Sequence, residues 1–197
     1  MRKGQITTPS AESLATAAKS AQNGGADKDL PPVHLWNPDF CGDIDMRIAR
    51  DGTWYYEGGA IERPGLVRLF STILKKEDGK YFLVTPVEKV GITVDDAPFV
   101  AVDVNWDGAN EAQNLTFETN VGDRFTAGPD NPIRVVRDPQ TGEPSPYVEV
   151  RAGLEAIIDR KSFYRLVDIG THKDGWFGLW SGGTFFEVIP SEDMMVD

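Results

Sequence analysis

The apolar positions of this chain follow two different periods, and the change of period separates predicted strands from predicted helices. After residue 31 most apolar residues lie in short β-branched or aromatic runs, with Gly, Asn and Pro turns between them, and such runs predict strands. A helical spacing of three and four residues begins near Pro64 and ends before Gly79, and another covers roughly residues 160–167. We therefore predict an α+β protein with one main helix in each half.

The two helical stretches resemble each other in sequence. Ile61–Phe70 reads IERPGLVRLF, and Ile158–Val167 reads IDRKSFYRLV 97 residues later, with Ile, two Arg and Leu identical. A repeat of this kind indicates two copies of one supersecondary unit. We therefore predict an internal duplication, in which each related subdomain is a small antiparallel sheet with one main helix.

Composition and turn signals divide the chain into three parts. Residues 1–29 are rich in Ala, Ser and Gly, so we expect an arm or linker that contributes little core, with a helix over Ser10–Gln22. Residues 30–104 are predicted to form an N-terminal α+β subdomain. Residues 105–197 are predicted to form a β-rich subdomain with its helix near 160–168, and their regular short strands favour a curled sheet or partial barrel.

Charge and cysteine content exclude several classes of protein. The net charge of −11 repels nucleic-acid backbones and anionic membranes, so neither long nucleic acid nor membrane is an expected partner, whereas a small phosphorylated ligand remains compatible. Cys41 is the only cysteine, which rules out an intrachain disulfide and a thiolate zinc site. The N-terminus has no continuous apolar core, so we predict a cytoplasmic protein, and no motif predicts a cofactor.

Several short stretches, in this order and spacing, resemble a bacterial family known as domain of unknown function 1285. They are Asp51–Trp54, Ile61–Pro64, Leu69–Ser71, Val84–Lys89, Asp95–Phe99, Phe117–Asn120 and Gly153–Ala156. The resemblance implies a duplicated α+β core whose C-terminal half is similar to pleckstrin-homology folds. It also implies a nucleotide-like ligand at the interface between the halves and a role in signal transduction. It brings no catalytic residues.

The repeated arginines, Arg63 and Arg160, are the first candidates for ligand binding. Each precedes large apolar residues by three and four positions, which places it on the apolar side of its helix, and an arginine at a helix start suits a phosphate or carboxylate. If the halves pack about a pseudo-two-fold axis, both arginines face one cleft. The alternative is that each pairs with a local carboxylate, such as Glu62 or Asp159.

Four further residues are candidates for the same ligand site. Arg151 and Lys89 would add positive charge, and Trp54 and Tyr56 would offer ring faces to a base. For the aromatic residues the alternative is core packing, since aromatic side chains in strands usually fill cores. The leading prediction is thus a binding or signalling module for a small anionic, nucleotide-like ligand, without catalytic residues.

Two other functions remain open. A carboxylate- or metal-dependent hydrolase would use Asp95, Asp96 or Glu88, although an Asp-Asp pair before Ala-Pro more often forms a turn. Asp103–Gly108 opens like a calcium loop, but Asn114 stands where a bidentate Glu is required, so we predict no metal site there. The remaining alternative is a protein-interaction domain that binds no small ligand.

Overall fold

A computed structural model of the chain describes residues 9–22 and 30–195. The chain divides into two compact units, Met1–Asp95 and Asp96–Asp197. Three α-helices and fifteen strands occur in the described part, so the α+β class with a majority of sheet is confirmed. The first unit ends nine residues before the boundary we predicted after residue 104, and the strand Phe99–Asp107 runs unbroken through that position.

The N-terminal unit contains one six-stranded sheet and two α-helices. Its elements are α1 (Ala11–Gln22), β1 (Phe40–Ile48), β2 (Trp54–Tyr56), β3 (Gly59–Ala60), α2 (Pro64–Thr72), β4 (Leu74–Glu77), β5 (Lys80–Val84) and β6 (Lys89–Val94), with a 3₁₀ turn at Val33–Leu35. The strand order is β3-β2-β1-β6-β5-β4. Two antiparallel three-stranded meanders are therefore joined through β1 and β6.

The central pair of this sheet is parallel, which differs from the purely antiparallel sheet that we predicted. β1 runs beside β6 in the same direction, with Arg47 opposite Thr93 and Ile48 opposite Val94. The parallel pair arises because α2 separates the two meanders and acts as a crossover, whereas short hairpin turns join only antiparallel neighbours. The two halves of the sheet thus depend on contacts between residues far apart in sequence.

α2 packs on the sheet through residues near its C-terminal end. Pro64 occupies the first helical position, where its missing N–H costs no hydrogen bond. Phe70 is fully buried, and its ring stacks on that of Trp54 with centroids 6.2 Å apart. Burial of a side chain as large as Phe contributes about 2–3 kcal/mol, so this contact anchors the helix to β2.

α1 forms where we predicted a helix, but it contributes more to the core than we expected of residues 1–29. Leu14 and Ala18 are fully buried, and α1 packs against α2. The amide of Gln22 donates a hydrogen bond to the Thr72 hydroxyl over 3.2 Å. Leu14 and Ala18 are four residues apart, so both face α2, and the small Ala18 allows close approach. The rest of the predicted arm, 1–8 and 23–29, lies outside the described residues.

The C-terminal unit contains a second six-stranded sheet, one α-helix and a three-stranded sheet. Its elements are β7 (Phe99–Asp107), β8 (Asn114–Thr119), β9 (Arg124–Thr126), β10 (Ile133–Arg137), β11 (Pro144–Arg151), β12 (Leu154–Ile158), α3 (Arg160–Asp168), β13 (Thr171–Lys173), β14 (Trp176–Ser181) and β15 (Thr184–Pro190), with 3₁₀ turns at Asn110–Ala112 and Ser191–Met195. The strand orders are β10-β11-β12-β7-β8-β9 and β13-β14-β15.

The two six-stranded sheets share one topology, which matches the predicted two-part repeat. In each sheet the first and sixth strands form the central parallel pair, β1 with β6 and β7 with β12. The helices occupy different places, however, because α2 lies between the third and fourth strands and α3 follows the sixth. In the described residues neither sheet of the C-terminal unit closes on itself, so the predicted pleckstrin-homology-like barrel is not confirmed.

The helices α2 and α3 are equivalent in length but not in the register that the sequence repeat indicates. Both have nine residues, and their first residues are 96 positions apart instead of 97. In this register Arg63 corresponds to Asp159, and each is the N-terminal cap residue of its helix. The fully buried Phe70 and Leu166 also correspond. The two arginines of the repeat are therefore not structurally equivalent.

Candidate functional site

A groove in the N-terminal unit contains two of the predicted site residues, Arg63 and Tyr56. It has a volume of about 830 Å³ and lies between α1, the β2–β3 hairpin and the start of α2. Glu12 and Lys19 of α1 and Glu62 also line it. Ala11, Ala15, Ala60, Ile61 and Leu66 give the walls an apolar part. The groove thus combines an aromatic ring, charged side chains and apolar surface, as ligand sites commonly do.

Arg63 is positioned by the first turn of α2. It has extended backbone angles, φ −95° and ψ 104°, and its carbonyl accepts hydrogen bonds from the backbone N–H groups of Leu66 and Val67 at 3.0 and 3.2 Å. Its side chain makes no capping hydrogen bond and is exposed. The prediction that Arg63 lies on the apolar side of the helix is wrong, because this residue precedes the first helical residue and does not follow the helical period.

The charged side chains of the groove do not neutralise one another. Glu12, Lys19, Glu62 and Arg63 are all exposed, and no hydrogen bond or ion pair joins any of these side chains to another described residue. The alternative in which Arg63 pairs with Glu62 is therefore wrong. The Arg63 guanidinium keeps all five N–H donors for water or a ligand.

Arg160 has a different environment, in the C-terminal unit. It is the first residue of α3, and its Nη2 lies 2.9 Å from Glu143 Oε1. Both side chains are more than 60% exposed, at 74% and 64%. Asp159 does not pair with this arginine, since its Oδ1 caps the helix and accepts the Ser162 N–H at 2.7 Å. Arg160 thus forms a surface ion pair, and the cleft that it was predicted to share with Arg63 stays a prediction.

Arg151 and Lys89 each have an ion-pair partner within their own unit. Arg151 Nη1 lies 2.6 Å from Asp123 Oδ2, and its guanidinium lies over the ring of Phe99, 5.0 Å from the centroid. Lys89 pairs with Glu77, and its ammonium lies 4.5 Å from the ring centroid of Phe82. Neither cation lines the groove that contains Arg63.

The two predicted aromatic residues also have different environments. Trp54 is only 1% exposed and packs against Phe70, so it has no accessible ring face for a base, and the core alternative applies. Its indole N–H has no hydrogen-bond partner among the residues that the structure describes. Tyr56 follows two positions later on the same face of β2, is partly exposed and lines the groove.

The residues of the hydrolase alternative make separate contacts. Asp95 Oδ2 lies 2.5 Å from Arg47 Nη1, and Asp96 accepts a hydrogen bond from the Tyr147 hydroxyl at 2.8 Å. Glu88 belongs to the turn before β6, where its backbone N–H donates to Thr85 Oγ1 at 3.0 Å. The contacts of Asp95 and Asp96 engage their carboxylates, whereas the contact of Glu88 involves only its backbone.

The residues that resemble the opening of a calcium loop lie mostly on a strand. Asp103 is part of β7, where its Oδ1 lies 2.6 Å from Arg165 Nη1. The hydrogen bond from Arg165 lowers the pKa of the Asp103 carboxyl. Among residues 9–22 and 30–195, no group of three His, Cys, Asp or Glu side chains is arranged to hold a metal ion.

A second cleft, of about 520 Å³, lies in the C-terminal unit and was not predicted. Its lining includes Asn110, Glu111, His172, Lys173 and Trp180. The Lys173 ammonium lies 4.9 Å from the ring centroid of Trp180, and His172 Nδ1 lies 2.7 Å from the Ser191 hydroxyl. The strand β13, which carries His172 and Lys173, has only three residues, too few to show a hydrophobic period in the sequence.

Among the helices that the structure describes, none combines the length and apolar character needed to cross a membrane.

Comparison with known proteins places both units in one family. The N-terminal domain model of DUF1285, a domain of unknown function, matches residues 31–97, and the C-terminal domain model of the same family matches residues 98–188. α1 lies outside both matches. No curated protein matches the chain.

Two solved structures are similar to this chain. The crystal structure of a DUF1285 family protein from Silicibacter pomeroyi DSS-3 is 62% identical, covers 93% of this chain and 98% of its own, and has a TM-score of 0.85. A DUF1285 family protein from Shewanella baltica OS155 is 30% identical over 62% of this chain and 90% of its own, with a TM-score of 0.50. With two matching domain models and a relative of this identity and coverage, the chain belongs to the DUF1285 family.

Proposed function

We propose that this protein is a ligand-binding module without catalytic residues, and that the groove of its N-terminal unit holds a small molecule with an anionic group. The observation that carries the proposal is that the charge of Arg63 is not paired within the groove. Its exposed guanidinium lines the groove and has no ion-pair partner among the described residues. Arg151 and Arg160, in contrast, each have a carboxylate partner.

The position of Arg63 suits an anion for two physical reasons. A guanidinium presents its donors in a fixed planar fork, which matches the two oxygen atoms of a carboxylate or a phosphate. The residue also lies at the N-terminus of α2, where the aligned peptide dipoles favour negative charge. Both effects act on the same side of the groove.

Tyr56 gives the groove a second means of recognition. Its ring is partly exposed, so it can contact a planar or apolar part of the ligand. A nucleotide-like ligand belongs to the class that such a site admits. Signal transduction, a cytoplasmic location and a protein partner stay predictions.

The experiment is a titration of the full chain with a panel of small carboxylates, phosphates and nucleotides, followed by thermal shift and calorimetry. Arg63→Gln should weaken binding of any ligand found by about tenfold or less, since one charge-assisted contact at an exposed site contributes about 1 kcal/mol. Arg160→Gln is the matched control, because it removes an exposed arginine from the start of the other helix. Circular dichroism should confirm that both variants are folded.

The proposal fails if no panel member binds at millimolar concentration, or if Arg63→Gln binds as tightly as the unmodified chain. An equal loss in both variants would instead support the earlier prediction that both arginines contact the ligand. Hydrolysis is not part of the proposal, since the carboxylates of Asp95 and Asp96 are engaged by Arg47 and Tyr147.

A further inference from the structure

The groove of the N-terminal unit carries two charges of each sign. Arg63 and Lys19 are cationic, and Glu12 and Glu62 are anionic. Opposite charges line a common surface, yet none of the four side chains lies within 4.0 Å of an oppositely charged group in the described residues. The protein thus presents separated positive and negative groups that a ligand can pair with.

The helix α1 and the segment just before α2 each contribute one charge of each sign to the groove. Glu12 and Lys19 are seven residues apart on α1, two helical turns, so they lie on one side of that helix about 10 Å apart along its axis. Glu62 and Arg63 are neighbours just before α2. The positive and negative groups are therefore distributed along the groove.

This distribution disfavours a ligand with several negative charges. A triphosphate would gain from Arg63 and Lys19, but Glu12 and Glu62 line the same groove, and like charges repel. A ligand with one anionic and one cationic group gains on both sides without that repulsion. Charge complementarity thus favours zwitterions over polyanions.

The remaining lining describes the rest of the ligand. Ala11, Ala15, Ala60, Ile61 and Leu66 form apolar walls, which favour an apolar body between the charged ends. A volume of about 830 Å³ lies within the range of sites for small molecules and exceeds the size of one amino acid.

We infer that the groove binds a zwitterion that combines an ammonium group, a carboxylate and an apolar body. Arg63 contacts the carboxylate, and Glu12 or Glu62 contacts the ammonium. A short peptide with free termini and a free apolar amino acid share this chemistry. The inference rests on the proposed function, because it assigns the anionic group to the same arginine.

The test is calorimetric titration of the full chain with four matched compounds. Leucyl-leucine carries both charges, N-acetyl-leucyl-leucine only the carboxylate, leucyl-leucine amide only the ammonium, and free leucine both charges on a smaller body. Leucyl-leucine should bind about threefold to fivefold more tightly than either blocked peptide, since an exposed ion pair contributes that much at most. If leucyl-leucine binds more tightly than free leucine, the ligand is a short peptide and not a free amino acid.

Variants then assign each charge to its residues. In the double variant Glu12→Gln with Glu62→Gln, the N-acetylated peptide should bind as tightly as leucyl-leucine, because the ammonium no longer has a partner. Arg63→Gln should remove the preference for leucyl-leucine over its amide. Glu57→Gln, an exposed glutamate outside the groove, is the matched control and should change nothing.

Two results overturn the inference. If N-acetyl-leucyl-leucine binds the unmodified chain as tightly as leucyl-leucine and Arg63→Gln weakens both, the proposed function stands and the zwitterion is wrong. If none of the four compounds binds at millimolar concentration, the zwitterion is also wrong, and the separate panel of anions decides the proposed function. The comparison of compounds uses the unmodified chain, so it does not depend on a variant folding.

Discussion

Glu77 at the end of β4 forms an ion pair with Lys89 at the start of β6, two strands away in the same sheet. Lys75 donates to the other carboxylate oxygen of Glu77 at 2.8 Å. The three side chains are 16–30% exposed, so water only partly screens the pairs. The cluster links the two edges of the β4–β5–β6 meander through side chains as well as backbone.

This cluster makes stability depend on pH. The hydrogen bonds from Lys75 and Lys89 lower the pKa of Glu77 in the folded protein. The carboxyl group therefore takes up its proton at a higher pH in the unfolded chain than in the folded one. The stabilising contribution is present above the pKa of a free glutamate, about 4.3, and is lost as the pH falls below it. We expect Glu77→Gln to lower the free energy of unfolding by about 1 kcal/mol at pH 7. Urea unfolding at pH 7 and pH 3 should show that the free energies of unfolding of the variant and the unmodified chain differ less at pH 3. A difference that stays constant would contradict the predicted effect of the ion pairs.

Gly178 is required by close packing. A Cβ atom there would lie 2.3 Å from the carbonyl oxygen of Phe186 and 2.6 Å from the Phe185 ring. We expect Gly178→Ala to destabilise the C-terminal unit by about 2 kcal/mol or more, because backbone must move. Gly65→Ala is the control, since a Cβ there meets nothing within 4 Å and alanine favours the helix. Thermal unfolding should show opposite shifts, and equal shifts would contradict the packing argument.

Ser162 is a buried serine whose hydroxyl meets no hydrogen-bond partner within residues 9–22 and 30–195. Ser162→Ala removes that unsatisfied group and leaves the backbone N–H bond to Asp159 in place, so we expect stabilisation by about 1 kcal/mol. Asp159→Ala removes the helix cap and should destabilise by about 1 kcal/mol. Chemical denaturation of both variants measures the sign of each change in the free energy of unfolding. A destabilised Ser162→Ala variant would show that the hydroxyl has a partner in solution.

A substitution of Leu14 tests whether α1 unfolds together with the N-terminal unit. The side chain of Leu14 is fully buried, so Leu14→Ala should cost about 2–4 kcal/mol if α1 unfolds together with the unit. Ser20→Ala, an exposed change on the same helix, should stay within about 0.5 kcal/mol. Amide hydrogen exchange is the more specific measurement. Rapid exchange throughout α1 in the unmodified chain would contradict stable docking.

Arg151 and Arg160 should differ in their effect on stability. Arg151 is 21% exposed in its side chain, pairs with Asp123 and lies over Phe99, so Arg151→Ala should cost about 1–2 kcal/mol through both contacts. Arg160 is 74% exposed, and Arg160→Ala should change stability by less than about 0.5 kcal/mol. Denaturant titration of both variants measures the two losses in the free energy of unfolding. A larger loss for Arg160→Ala than for Arg151→Ala would contradict the argument from burial.

The sequence allowed prediction of most helices and strands but not of how they pair. Pro64 and the apolar period after it identified the start of α2, but the helix that was predicted to end before Gly79 ends at Thr72, and residues 74–77 form the strand β4. The parallel contact between β1 and β6 was not predictable, because the register of distant strands depends on packing and leaves no local signal.

The repeat was recognisable, but its register was shifted by one residue. Alignment of identical residues places Arg63 opposite Arg160, whereas the helix ends show that Ile73 corresponds to Ile169, with φ of −106° and −110°. One residue is enough to rotate a helical position by about 100°, so the predicted functional equivalence of the arginines does not follow from the repeat. Arg63 and Tyr56 line a common groove because α1 packs beside them, and the repeated motif contains no signal for that packing.

The parallel pairing of first and sixth strands sets an order for folding during synthesis. β1 has its central neighbour only after β6 has left the ribosome, and β7 only after β12 has done so. Contacts between residues so distant in sequence slow the search for the native sheet. Each unit is therefore expected to remain incomplete until its last central strand emerges and then to fold cooperatively, the N-terminal unit before the C-terminal one.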